Sequence, residues 1–146
     1  MWQRVQTLYL AISTILIALL FFVPKAVSFA GDGTVADEIS FTAYLPYLVL
    51  TVVITLLNIL ALTTWNFRIF QLRTATLTAL ITASFQIWLT VDFLMTHDVA
   101  VFRVYALFPL IAVIFDLLAV RGIFADQMLV ESAASLRKSR RERRAK

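Results

Sequence analysis

Several residue types that build soluble enzymes are scarce or missing. The 146 residues contain no cysteine, which excludes disulfides, thiolate metal ligands and thiol nucleophiles. The single histidine, His97, leaves no imidazole pair for a metal or haem site within one chain. Glycine and proline number three each, too few for a flexible linker between domains. We therefore expect no metal, no cofactor and one compact unit.

Apolar residues are the abundant class. They make up 61% of the chain, and the mean hydropathy is +0.87. Soluble domains are roughly 45–50% apolar. A soluble domain of this length could not bury so much apolar surface, so the composition predicts a membrane protein.

The apolar residues fall in nearly uncharged runs. A hydrocarbon core about 30 Å thick needs roughly 20 helical residues. Four runs have about this length, over residues 5–23, 44–64, 74–95 and 104–120. The sequence predicts an all-α membrane protein, with a four-helix antiparallel transmembrane bundle over 1–122 and a cytoplasmic amphipathic helix and polybasic tail over 123–146. Pro109 should bend the fourth helix.

The distribution of Lys and Arg predicts the orientation. One side of the four runs carries most of the basic residues: Arg4, Arg68, Arg73, Arg121, Arg137, Lys138, Arg140, Arg141, Arg143, Arg144 and Lys146. Lys25 and Arg103 lie on the other side. By the positive-inside rule, both termini are cytoplasmic in a multi-pass protein of the bacterial inner membrane. The alternative is a signal peptide cleaved after Ala30, although the first run is longer than the usual apolar segment of such peptides.

The first external loop shows a strand pattern. Residues 27–29 and 39–41 alternate apolar and polar side chains, and Gly31-Asp32-Gly33 lies between them. We expect a short β-hairpin that caps the bundle.

Aromatic residues near the ends of the runs fit interfacial belts: Trp2 and Trp65 on the inner side, and Tyr44, Tyr47, Trp88 and Tyr105 on the outer side.

Stripes of small and weakly polar residues predict which helix faces meet. In the four runs these are Thr7, Ala11, Thr14 and Ala18; Thr51, Thr55 and Asn58; Thr74, Thr78, Thr82, Gln86 and Thr90 with Ala75, Ala79 and Ala83; and Ala112, Asp116 and Ala119.

Polar residues inside the runs are the candidate functional residues. Asp116 is either a proton- or ion-responsive carboxylate or a structural one, paired with Asn58, with Thr78 or with a nearby arginine. Asn58 should lie at a similar depth. Asp92 can reach water or Arg103 near the external end. Gln86 is either a helix-to-helix contact or a binding residue.

The tail is the strongest charged feature. It carries seven basic residues and one acid: Arg137, Lys138, Arg140, Arg141, Glu142, Arg143, Arg144 and Lys146. We expect these cations to contact anionic lipids of the bilayer. An acidic protein or a nucleic acid is the alternative, but no aromatic side chain interleaves the charges to stack on bases, so we expect no nucleic-acid partner.

Both ends of the chain resemble a family of small bacterial membrane proteins, typical of Bacteroidota, that is classed as a domain of unknown function. Met1 to Leu10 resembles its M-x-Q-R-x-Q start, and Leu117 to Ile123 resembles its L-A-x-R-x-I close. The resemblance implies the four-span architecture and importance for Gln3, Arg4, Gln6 and Arg121. These four residues either form a cytoplasmic polar cluster or include two independent arginine anchors.

The sequence favours a non-enzymatic accessory or scaffold protein, such as one subunit of a larger membrane assembly. A protein partner or a homo-oligomer is expected. The alternative is a small oligomeric transporter or channel, in which Asp116, Asn58 and Gln86 line the route. An enzyme is not expected, because the sequence offers no converging set of acid, base and nucleophile.

Overall fold

The computed structural model describes the backbone of residues 2–29, 34–96 and 100–144, and the side chains of 5–29, 34–96 and 100–138. Within these ranges the chain forms four α-helices: α1 (Trp2–Leu19), α2 (Leu45–Thr63), α3 (Arg68–Thr96) and α4 (Phe108–Arg144). It also forms three strands: β1 (Pro24–Phe29), β2 (Val35–Ser40) and β3 (Ala100–Phe102). The predicted four-helix fold is confirmed.

The helices form a closed ring, in which α1 and α3 each pack against both α2 and α4. Two apolar clusters show that neighbouring helices are antiparallel. Near one end, Leu10 meets Ala61 and Ala119, and near the other, Ile17 meets Ile54 and Ala112. We call the end beside the strands the sheet end. The opposite end, where α1 and α3 begin and α2 ends, is the basic end.

Three helices are long and apolar enough to cross a bilayer: α2, α3 and the part of α4 before its charged tail. The first helix, α1, is shorter than predicted. It ends at Leu19, and its apolar part runs from Val5 to Leu19. Residues 20–22 continue with turn hydrogen bonds of about 3 Å to carbonyls three residues earlier. Pro24 then begins β1, since proline fits the first position of a strand and disfavours a helix before it.

The predicted hairpin is present, with β1 antiparallel to β2. Its turn, at residues 30–33, lies outside the described residues. The sheet has a third member that the sequence did not reveal, because β3 pairs with the free edge of β1 and gives the order β2-β1-β3. Three residues are too short for a strand pattern to show. The sheet covers one end of the bundle, where Ala26 and Val27 are buried.

α4 differs from the prediction at Pro109. A 3₁₀ turn at Val104–Leu107 precedes the helix, so Pro109 lies in the first turn of α4 rather than in its interior. A first-turn N–H has no intrahelical partner to lose, and the predicted bend is therefore wrong. Beyond Pro109, α4 continues through Gly122 as one helix to Arg144.

The predicted contact faces hold for α2, α4 and most of α3, where Thr51, Asn58, Thr78, Ala112 and Ala119 are all buried, but Thr90 of the α3 stripe is exposed. In α1 the prediction is wrong. Thr7 is exposed, and the buried face instead consists of Gln6, Leu10, Ser13 and Ile17, with Leu20 next to it just beyond the helix. Close packing needs small residues on only one of two helices. Here α4 supplies them, and α1 supplies the larger side chains that fill the space.

Tyr47 also departs from the predicted aromatic belt. Its side chain is buried in the core, where its ring lies 5.6 Å from Phe85 and 5.5 Å from Trp88 in edge-to-face contacts. Tyr44 and Trp88 are exposed, as the belt requires.

Candidate functional site

Three helices bring one polar residue each to the centre of the bundle. Ser13 of α1, Asn58 of α2 and Asp116 of α4 are all 0% exposed. The Asn58 Nδ2 donates to Ser13 Oγ at 3.4 Å, and the Ser13 hydroxyl lies beside the Asp116 carboxyl group. We call these three residues the buried polar layer. The sequence placed Asn58 and Asp116 at similar depth, and Ser13 is the link between them that it missed.

The buried polar layer is short of hydrogen-bond donors. Among the described residues, no group donates a hydrogen bond of ordinary geometry to either carboxylate oxygen of Asp116. The Asn58 Oδ1 accepts none either. An unsatisfied buried polar group costs about 1–3 kcal/mol, and more when it is charged. The predicted partners of Asp116 do not supply the missing donors. Thr78 donates to the carbonyl of Thr74 at 2.8 Å, and Arg73 and Arg121 are exposed.

Most threonines of the bundle behave like Thr78. Their hydroxyls donate to the carbonyl four residues earlier in the same helix, as Thr51 and Thr82 do at 2.7 and 2.8 Å. Such bonds satisfy the hydroxyl without joining two helices. The threonine stripes therefore fill the interior with small side chains whose hydroxyls are bound within their own helices.

Gln86 lies apart from the buried polar layer. It lines a groove at the sheet end with Phe93, Phe102, Arg103 and Leu107. Its Oε1 is buried and has no hydrogen-bond partner among the described residues. The structure thus separates Gln86 from Asn58 and Asp116, with which the sequence grouped it.

Asp92 also lies at the sheet end, and its cation is Lys25. The Lys25 Nζ is 2.6 Å from Asp92 Oδ2, and the side chains are 11% and 29% exposed. The ammonium group also lies 4.9 Å from the ring centroid of Tyr47 and 5.3 Å from that of Phe102. Arg103, the predicted alternative, pairs instead with Glu38 across the sheet at 3.1 Å. The Lys25–Asp92 pair therefore fastens β1 to α3.

The basic end contains a cavity of about 460 Å³, which we call the basic-end cavity. All four helices and the turn between α2 and α3 contribute to its wall: Gln6, Thr7, Leu62, Trp65, Arg68, Gln71, Ile123 and Asp126. Arg68 Nη1 lies 3.1 Å from Asp126 Oδ2 and joins α3 to α4. The Gln71 amide donates to the carbonyl of Ala61 at 3.1 Å.

The predicted cytoplasmic polar cluster is partly described. Gln6 is buried against α4, where a Cβ on Gly122 would lie 2.9 Å from Gln6 Cγ. Arg121 is exposed. The side chains of Gln3 and Arg4 lie outside the described residues, so their part in the cluster stays a prediction. Arg68, Gln71 and Asp126 are close to Gln6 through the cavity, and sequence reasoning missed them because their positions are far apart along the chain.

The tail cations are described as far as position 138. Arg137 and Lys138 are exposed on α4. The side chains of Arg140, Arg141, Arg143, Arg144 and Lys146, and the loop residues His97 and Asp98, lie outside the described residues. Anionic-lipid contact by the tail stays a prediction.

Comparison with known proteins places the chain in a family. Residues 2–136 match the model of a domain of unknown function, DUF4293, and the chain belongs to that family. No curated protein and no solved structure matches it significantly. The family match confirms the resemblance to an uncharacterised domain family, and it transfers no activity to any residue.

Proposed function

We propose that this member of the DUF4293 family is a non-enzymatic accessory protein of the bacterial inner membrane, and that it binds a protein partner through the cytoplasmic part of α4. The observation that carries the proposal is the continuity of α4, which runs unbroken from Phe108 to Arg144. We call residues 126–144 of this helix the α4 extension.

The membrane placement rests on hydropathy and charge. α2, α3 and α4 have the length and composition to cross a bilayer, and α1 packs among them as the fourth member of the ring. The basic end carries Arg68, Arg73 and Arg121, and α4 leads from it to the polybasic tail. The positive-inside rule therefore favours a cytoplasmic basic end, with both termini inside the cell.

The length of the α4 extension favours a protein partner over the bilayer's own lipids. Asp126 is level with the basic end, because it pairs with the first residue of α3. At about 1.5 Å per residue, Arg137 lies about 17 Å further along the helix and Arg144 about 27 Å. Charge interactions are screened over about 8 Å at physiological ionic strength. Tail cations on an upright helix would therefore be too far away to attract anionic headgroups strongly, and the predicted lipid contact would require the helix to lie along the membrane.

The α4 extension also has an apolar face that the bundle leaves uncovered. Met128, Leu129 and Leu136 are 52%, 68% and 66% exposed. The groove beside α3 is lined by a different face of the helix, which includes Gln127, Val130 and Ala134. An apolar face followed by clustered cations suits an acidic, amphipathic surface on another protein. A second copy of the chain suits it less, since two parallel tails would repel each other.

The test is a change of one residue on that face. We expect Leu129→Glu to reduce co-purification of the partner from native membranes by about tenfold, because the carboxylate must be desolvated in the interface. Ala134→Glu, which adds the same charge on the groove face, should leave recovery unchanged. Quantitative mass spectrometry of mild-detergent eluates measures both. Equal recovery with wild type and Leu129→Glu would contradict the proposal.

The second candidate function is a small oligomeric transporter that uses Asp116. Its support is the unpartnered, fully buried carboxylate of that residue. A single acid does not define a route across the membrane. Gln86, which lines the groove at the sheet end, is not next to Asp116 and does not continue such a route. For this reason we place the accessory role first.

Asp116→Asn distinguishes the two candidates. The amide adds the donors that the buried polar layer lacks, so we expect the variant to unfold at the same temperature as wild type or a higher one. In proteoliposomes under a pH gradient, we expect no proton flux from wild type, from Asp116→Asn or from the control Glu131→Gln. Flux that only Asp116→Asn abolishes would establish transport instead.

A further inference from the structure

The basic-end cavity contains donor groups that the protein does not use. Gln6 is 6% exposed, and its Nε2 has no hydrogen-bond partner among the described residues. Arg68 Nη1 is also buried and lacks a hydrogen-bond partner there. It forms an ion pair with Asp126 Oδ2 at 3.1 Å, without a hydrogen bond of ordinary geometry. Gln71 is already bonded to Ala61, so Gln6 Nε2 and Arg68 Nη1 are the two buried donors of the described wall that lack a hydrogen bond.

Because Gln6 Nε2 and Arg68 Nη1 are hydrogen-bond donors, a ligand of this cavity should carry hydrogen-bond acceptors. A metal ion is a poor fit, since it would need oxygen or nitrogen lone pairs at these positions rather than N–H groups. An oxygen anion suits both donors, because hydrogen bonds to a charged acceptor are roughly twice as strong as neutral ones. Asp126 already offsets part of the Arg68 charge. A singly charged phosphodiester therefore suits the cavity better than a doubly charged free phosphate.

The rest of the wall indicates where the phosphodiester comes from. Leu62, Trp65 and Ile123 give the cavity an apolar side next to its polar one. Trp65 is 61% exposed at the ends of the apolar helices, the position at which tryptophan meets lipid headgroups. An amphiphile matches such a wall, with its phosphate at Gln6 and Arg68 and its hydrocarbon along Leu62.

We propose that the basic-end cavity binds the phosphodiester of a membrane phospholipid. The inference uses the membrane placement of the proposed function and is independent of partner binding by α4. Binding would also join α1 to α3 at a point where no direct bond between Gln6 and Arg68 is made. The lipid would then act as a structural ligand of the cytoplasmic end.

The test measures lipid retained by the purified full-length chain. Native mass spectrometry in mild detergent, with phosphatidylglycerol added, should show one bound phospholipid that survives detergent removal. Gln6→Leu keeps nearly the same volume and removes the donor, so we expect about tenfold weaker retention. Gln86→Leu, the same change at the sheet end, should retain lipid like wild type. Circular dichroism and gel filtration check that each variant is folded.

A second variant and a competitor complete the experiment. If Gln6→Leu does not fold, Arg68→Met removes the other donor, because its thioether carries no N–H group, and should give a similar loss. Excess inorganic phosphate should displace little lipid, and full displacement would assign the cavity to free phosphate instead. Retention by Gln6→Leu and Arg68→Met equal to that of wild type would overturn the proposal. Leu129→Glu should retain lipid, so a failure of the partner-binding proposal would not affect this result.

Discussion

Replacement of Lys25 by methionine is expected to lower the free energy of unfolding by about 2–4 kcal/mol, somewhat less than the loss of one partner from a fully buried ion pair. The variant leaves Asp92, 29% exposed, without the cation that lies 2.6 Å away. It also removes the ammonium group from the faces of Tyr47 and Phe102. The main consequence should be release of β1 from α3, measured as a lower unfolding temperature in detergent.

A double-mutant cycle isolates the pair. Asp92→Asn alone should also destabilise the protein, because it leaves the Lys25 ammonium buried without a counter-charge. The Lys25→Met, Asp92→Asn double variant should be clearly more stable than the two single losses added together predict. Glu38→Gln is the control, since it breaks a more exposed pair worth about 0–1 kcal/mol. Strict additivity of the two single effects would argue against coupling between Lys25 and Asp92.

The second large effect is expected at Gly122. A leucine there should cost about 1–3 kcal/mol, the usual range for overpacking. Its Cβ alone would lie 2.9 Å from Gln6 Cγ and 3.2 Å from Gln6 Nε2, so the buried Gln6 side chain must be displaced, and the rest of the leucine needs further room between α1 and α4. Ala125→Leu adds the same side chain three residues further along, where α4 is exposed, and should change stability by no more than about 0.5 kcal/mol.

Replacement of Gly122 by alanine distinguishes the steric clash with Gln6 from the higher helix propensity of alanine. Alanine favours a helix over glycine by about 1 kcal/mol, which opposes the cost of displacing the Gln6 side chain. We expect Gly122→Ala to be close to neutral in wild type and stabilising when Gln6 is also changed to alanine. Thermal unfolding of the four variants measures this. A stabilisation of the same size in both backgrounds would mean that Gln6 does not restrict position 122.

The candidate sites show where sequence reasoning reached its limit. It identified Asp116 and Asn58 as buried polar residues, because polar groups stand out within apolar runs. It did not find that Ser13 joins them, since serine is an ordinary residue of such helices. For Lys25, the sequence predicts only that it is one of two external cations. In the structure it is 9% exposed, since the sheet folds its ammonium group onto Asp92 and two aromatic rings.

The sequence by itself determined the four helices and the β1–β2 hairpin, because helical bonds join residues four apart and hairpin bonds join neighbouring segments. Apolar runs and short-range periodicity carry that information. Only the tertiary structure decided the inward face of α1, the addition of β3 to the sheet and the grouping of Gln6, Arg68 and Asp126 around one cavity. These features depend on contacts between residues that are far apart in the sequence, such as the close approach of Gln6 to Gly122.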